Sequence, residues 1–116
     1  MGSEWVEHES WELVDEASQA CGRDVSQLLL DADAEELKQT RNSQLTTFVL
    51  SMVVLDAVER TGVAPNLAAG HSLGEYSALC ASGALSFEGA VRLVAERGEA
   101  MQVAADEQDG TMAAVL

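Results

Sequence analysis

Hydrophobic positions recur along the chain at two spacings, helical over most of its length and in short uninterrupted runs at two places. From Ser3 to Ala20 the residues are mostly polar, with Leu13, Val14, Ala17 and Ala20 forming one narrow apolar stripe at helical spacing. Ser3 can cap this helix, Glu4 and Glu7 suit the positive end of its dipole, and Gly22 can end it. Short helices are predicted around Val25–Leu30 and Ala34–Lys38. A stronger helix is predicted from about Gln44 to Arg60, through Leu45, Phe48, Val49, Met52, Val53 and Leu55. It is apolar on most sides, which predicts burial, and Thr61-Gly62 stops it.

Pro65 breaks any further helix. Asn66-Leu67-Ala68-Ala69 is then a short apolar run ended by Gly70, and its length and flanks predict a buried strand. A helix is predicted from just past Ser72 to Gly83, and another, with Ser86 as N-cap, from Phe87 to about Asp106. Thr111–Leu116 reads as a second strand. Helices mixed with strands predict the α/β class. Two strands cannot make a covered parallel sheet by themselves, so the pattern points to an incomplete fold.

Composition narrows the partners. The 116 residues carry 20 acidic and 6 basic side chains, a formal net charge of −14, and are 47% hydrophobic, too apolar for disorder. Phosphate backbones would be repelled, and so would an anionic lipid surface, so neither nucleic acid nor membrane is expected as a partner. The charge is uneven: residues 1–36 carry −10, residues 37–105 only −1. The middle of the chain is therefore where an anion could be bound. Cys21 and Cys80 are far apart, with no metal-ligand spacing, which suits a reducing compartment. No secretory signal pattern is visible, and the apolar-rich stretch Leu45–Val58 is too short and too polar to span a bilayer. The expectation is a cytoplasmic protein.

The chemistry centres on Gly70-His71-Ser72-Leu73-Gly74, a G-x-S-x-G sequence between a predicted strand and a predicted helix. Such a turn needs glycines because backbone segments crowd the bend. It lifts the Ser72 hydroxyl to the N-terminus of the following helix, where the Leu73 N–H can face a developing oxyanion. A plain turn with Ser72 as N-cap is the competing reading. In the last helix Ala90, Leu93, Val94, Met101 and Ala104 share one face, and Arg97 occupies that same face. A guanidinium there either binds an anion, for which its planar fork suits a carboxylate, or pairs with an acid of the chain. Gly98 beside it suggests close backbone packing.

His71 is adjacent to Ser72 and points elsewhere at a tight turn, so a supporting role fits it better than that of base. His8 is expected on the solvated surface and Glu75 in the first turn of its helix. Cys80, Trp5 and Trp11 read as packing residues. The chain thus supplies a nucleophile and one oxyanion donor, with no convincing base.

These residues resemble a family. Gly70 through Leu79, Ala81 through Phe87, Glu96-Arg97-Gly98, Met101-Gln102 and Gly110 through Val115 are similar to malonyl-CoA:acyl carrier protein transacylases, and the likeness extends over essentially the whole chain. Gln44, in Ser43-Gln44-Leu45, lies near the family's usual Thr-Gln-Pro and is implied to support the site, as is His71. The Tyr76-Ser77-Ala78-Leu79 continuation looks more like the free-standing fatty-acid enzyme than a polyketide domain. The resemblance implies a partial α/β-hydrolase-like large subdomain over residues 1–109, with its elbow at 70–74. Residues 110–116 would begin a ferredoxin-like small subdomain.

The resemblance further implies that Ser72 is acylated, that Leu73 N–H is an oxyanion donor and that Arg97 holds the malonyl carboxylate. Malonyl-CoA would be the donor and the phosphopantetheine thiol of acyl carrier protein the acceptor, with no cofactor and no metal. The family's glutamine-bearing loop and catalytic histidine are not matched by residues here, so the chain is expected to be an internal portion with little activity alone. Two other readings stay open: a serine esterase or thioesterase on the same elbow, and a non-catalytic α/β piece.

Overall fold

The structure, a computed structural model, describes residues 1–108 and Gly110. It contains six α-helices among those residues: α1 (Glu12–Cys21), α2 (Val25–Leu30), α3 (Ala34–Lys38), α4 (Thr40–Glu59), α5 (Gly74–Ala81) and α6 (Phe87–Glu107). None of them is long and apolar enough to cross a membrane. The predicted strand over Thr111–Leu116, and all of residues 110–116 except Gly110, lie outside the described residues.

Helix α4 is the spine. Leu45, Phe48, Val49 and Val53 are fully buried, and Met52 and Ala57 nearly so. All of these but Ala57 pack with Val14 and Ala17 of α1, Val25 and Leu29 of α2, and Ala90, Val91 and Val94 of α6. The Phe48 and Phe87 rings stack at 6.2 Å. The helix thus buries side chains on several sides, as its sequence predicts.

Local signals decide where the helices begin and end. Asp24 and Asp33 cap α2 and α3 by accepting from the N–H groups of Gln27 and Glu36, each at 2.8 Å, and Ser86 caps α6 through Gly89. Gly22, Gly62 and Gly83 follow helix ends with φ of 68°, 87° and 73°, a region that favours glycine.

Three expectations are corrected. The predicted helix Ser3–Ala20 is broken: 3-10 turns at Ser3–Trp5 and Glu9–Trp11 precede α1, and Gly2, not Ser3, is at the first N-cap. Trp5 and Trp11 pack on the core from those turns, and exposed His8 caps the second by accepting the Ser10 N–H on Nδ1. The break lets two large indoles cover the core, which one narrow helical stripe could not do.

The predicted buried strand at 66–69 does not form. All of residues 61–70 are exposed and Leu67 is 94% exposed. A strand needs a neighbouring strand to satisfy its N–H and C=O groups, and no described residue is in a strand. An open apolar groove lies beside it, lined by Met52, Leu55, Leu67, Ala69, Ala78 and Ala81.

The third correction concerns α6. Its buried stripe is Ala90, Val91, Val94 and Gly98, while Leu93 and Ala104 are exposed. Arg97 therefore sits at the edge of the buried face and not along its centre. The stripe is rotated because Gly98, lacking a side chain, allows the closest approach.

The α4–α6 crossing is tight at that point. A β-carbon on Gly98 would stand 2.9 Å from the Arg41 Cα. Just beyond, the Gln102 carbonyl oxygen Oε1 accepts from the Thr40 N–H at 2.8 Å, capping α4 from another helix. At the opposite end of α4, Arg60 donates to Glu9, Glu12 and Asp56, tying the N-terminal turns to the spine. The nearby Ser10 hydroxyl and the Arg60 guanidinium hold the Asp56 carboxyl below its ordinary range.

Two outcomes follow for stability. Gly98→Ala gains about 1 kcal/mol of helix propensity but forces two backbones apart at a cost of about 1–3 kcal/mol, so its thermal midpoint should fall below wild type. A lowered Asp56 pKa contributes stability above its unfolded value, lost as pH falls through the folded one. Below roughly pH 4 wild type should therefore lose its margin over Asp56→Asn, read from melting curves across pH 2–6.

Candidate active site

The elbow is built by Gly70 and Ser72. Ser72 has φ 56°, and no other described non-glycine residue has positive φ; such a conformation costs about 1–3 kcal/mol and is retained where it serves a site. A β-carbon on Gly70 would fall on the Gly74 carbonyl and reach within 2.6 Å of the Glu75 nitrogen. Gly74 has open space around its own Cα. Crowding thus explains the first glycine and not the second. The turn is closed by Gly74 N–H donating to the His71 carbonyl at 3.0 Å and Glu75 N–H to the Ser72 carbonyl at 3.2 Å.

The Ser72 hydroxyl stands exposed at the start of α5, and Arg97 of α6 comes to it. Arg97 Nη2 donates to Ser72 Oγ at 3.1 Å, and Nη1 donates to Gln44 Oε1. Gln44 is buried in the first turns of α4, where its Nε2 donates to Met101 Sδ at 3.1 Å. Tyr76, one turn beyond Ser72, places its ring 5.8 Å from the Arg97 guanidinium carbon. Three helices therefore converge on one cation.

The predicted residues divide accordingly. Ser72, Arg97 and Gln44 are brought together; Leu73 occupies the elbow between Ser72 and α5; His71 is exposed and contributes its carbonyl to the turn. The acid pairing considered for Arg97 does not occur among the described residues: Lys38, Arg41 and Arg60 have carboxylate partners, while Arg97 contacts an amide and a hydroxyl. Cys80 packs against the core, and burial, followed by the charge of Glu88, pushes its thiol pKa up, so it stays a neutral packing group. The described residues hold no cluster of three or more His, Cys, Asp or Glu suited to a metal.

Tyr76 and Met101 were not singled out by spacing for this site. Tyr76 carried a usable signal, since the fourth residue after Ser72 at the helix start lies on the same side of the helix. Met101 lies one turn beyond Arg97 on the face that spacing defines, but its contact with Gln44 spans 57 residues of sequence and is not visible there.

A family model described as "Acyl transferase domain" matches residues 1–116. A malonyl CoA-acyl carrier protein transacylase of Bacillus subtilis (strain 168) is 47% identical over 104 residues, covering 90% of this chain and 33% of that protein. The crystal structure of the corresponding Streptococcus pneumoniae protein superposes with a TM-score of 0.82 at 42% identity, over 90% of this chain and 34% of its own. A type II polyketide acyl carrier protein in complex with its malonyl-transacylase matches with TM-score 0.75 and 40% identity, over 82% and 31%. The described residues thus share the fold of these proteins, and the chain spans about a third of the length of the relatives it matches.

The two glycines separate sharply in their consequences. Gly70→Ala should lower the unfolding free energy by roughly 1–3 kcal/mol, because backbone must move. Gly74→Ala should leave it unchanged or raise it slightly. Chemical denaturation of the two variants beside wild type measures both.

Proposed function

The chain belongs to the acyl transferase domain family, and on that premise we propose that it carries the nucleophile and the carboxylate anchor of a malonyl transferase acting between coenzyme A and acyl carrier protein. The observation that carries this reading is Arg97 Nη2 lying 3.1 Å from Ser72 Oγ without a carboxylate of the described chain to neutralise it. A malonyl thioester places its carboxylate one methylene from the carbonyl under attack. A cation beside the nucleophile suits that substrate and has no purpose in the hydrolysis of a neutral ester.

In the proposed reaction Ser72 Oγ attacks the thioester carbonyl as its proton passes to a base, a role we assign to neither His71 nor His8. The oxyanion accepts a hydrogen bond from Leu73 N–H at the N-terminus of α5. The carbon–sulfur bond breaks, the coenzyme A thiol leaves with the proton, and malonyl remains as an ester on Ser72. The phosphopantetheine thiol of the carrier protein then attacks that ester, its proton returning to Ser72 through the same base. Arg97 holds the distal carboxylate throughout, so an acetyl group leaves the guanidinium unpaired and is disfavoured. Gln44 steadies Arg97 from behind, and His71 supports the turn through its carbonyl. The reading calls for no resident cofactor and places the protein in fatty acid or polyketide synthesis in the cytoplasm.

The same reading extends to architecture. Residues 66–69 would be the strand entering the elbow, seated against the open groove beside Met52 and Ala78 as part of an α/β-hydrolase-like sheet over residues 1–109. Residues 110–116 would begin the ferredoxin-like small subdomain. Support comes from the left-handed Ser72 backbone that such a strand-to-helix turn imposes.

Malonyl transfer to a carrier protein by the full-length gene product tests the function. Ser72→Ala should abolish the acyl-enzyme seen by intact mass spectrometry. Arg97→Ala should cut malonyl transfer by roughly 30- to 1,000-fold, the cost of removing one member of a hydrogen-bonded charge pair. Hydrolysis of p-nitrophenyl acetate at full rate in Arg97→Ala, with no malonyl transfer by wild type, would favour an esterase instead.

A further inference from the structure

The Arg97 guanidinium is engaged at both ends of its fork, by Gln44 at Nη1 and Ser72 at Nη2, and its flat face remains to be accounted for. The guanidinium carbon lies over the Tyr76 ring, 5.8 Å from its centroid, inside the range over which a ring face attracts a cation. Tyr76 is partly buried and packs against the core, so its ring is not free to turn away. Its position follows from the elbow: α5 starts at Gly74, and Tyr76 lies one turn from Ser72 on a helix whose first residues are tied back to the turn.

The chain has strong reasons to draw this arginine elsewhere. Glu75, Glu96 and Glu99 are close to Tyr76 or Arg97 in sequence, and the net charge is −14. Arg41 has already reached Glu99, at 3.4 Å. An amide and a hydroxyl alone hold a guanidinium in place but leave it free to rotate about the line joining them. A ring face removes that rotation and does so without neutralising the charge.

We propose that Tyr76 is a positioning residue for Arg97, fixing the guanidinium plane so that the fork meets the carboxylate of an acyl group, and that it thereby sets the preference for anionic over neutral acyl donors. The inference rests on the reading of Ser72 as nucleophile and Arg97 as anchor. It requires the ring, not the hydroxyl: phenylalanine keeps the face, and leucine keeps apolar bulk without it.

Steady-state kinetics of the full-length gene product, with malonyl-CoA as the anionic donor and p-nitrophenyl acetate as the neutral one, provide the test. Tyr76→Leu should raise the KM for malonyl-CoA roughly 2- to 30-fold, with the rate on p-nitrophenyl acetate unchanged. Tyr76→Phe should remain within about twofold of wild type. If Tyr76→Leu does not fold, Tyr76→Met is measured in its place with the same expectation. Equal losses on both donors, no loss on malonyl-CoA, or a Tyr76→Phe defect as large as that of Tyr76→Leu would each overturn the proposal. Arg97→Ala separates the two levels. If it abolishes the malonyl preference while Tyr76→Leu keeps it, only the role of Tyr76 fails. If wild type has no malonyl preference, or acts on neither donor, the anchor reading fails and the role of Tyr76 with it.

Discussion

Helix α6 crosses the beginning of α4 with Gly98 laid against the Arg41 backbone, and the site exists because that crossing is so close. One side-chain position before Gly98 stands Arg97; one helical turn into α4 stands Gln44. When the two backbones meet at the glycine, a long cation from one helix and an amide from the other are within hydrogen-bond reach. Gln102 completes the junction by capping Thr40, so the N-terminal N–H of α4 is satisfied by the helix it crosses and not by its own flanking sequence. Core packing around Phe48, Val91 and Val94 holds the same two helices together along their length.

Charge is managed in two ways. Lys38, Arg41 and Arg60 are matched with carboxylates, as a chain of net charge −14 readily allows. Arg97 is instead surrounded by neutral groups: the Gln44 amide, the Ser72 hydroxyl and the Tyr76 ring. Neutral acceptors orient a guanidinium without cancelling it, so its attraction for an incoming anion is kept. The acidic first third of the chain lies apart from this cation in sequence.

The elbow joins strain to openness. Ser72 is held in a left-handed conformation by a turn that only glycine can enter at position 70. Immediately before it, residues 61–70 are exposed, and an apolar groove stands beside Leu67 and Ala78. In the solved relatives this chain accounts for about a third of the length. A segment whose backbone groups need lateral partners and whose side chains need cover is consistent with the sheet proposed above.

Much of this was legible in the residues themselves. Local chemistry sufficed for the short helices at Val25–Leu30 and Ala34–Lys38, for the Ser86 cap, for the glycines that follow the helix ends, and for the G-x-S-x-G turn, because each depends on residues within a few positions of one another. Spacing placed Arg97 on an apolar face but left its partner open between an acid and a ligand, and it misjudged the face itself, since Leu93 and Ala104 are exposed. The break after Trp5 and the absence of a strand at 66–69 were likewise beyond it: one depends on which core needs covering, the other on whether a neighbouring strand is present. The gathering of Gln44, Ser72, Tyr76, Arg97 and Met101 was decided by tertiary structure alone. Its key contacts join residues 25, 53 and 57 positions apart. Only the packing of α6 across α4 brings such distant positions together, whereas caps, turns and helix periods are short-range and can be read one segment at a time.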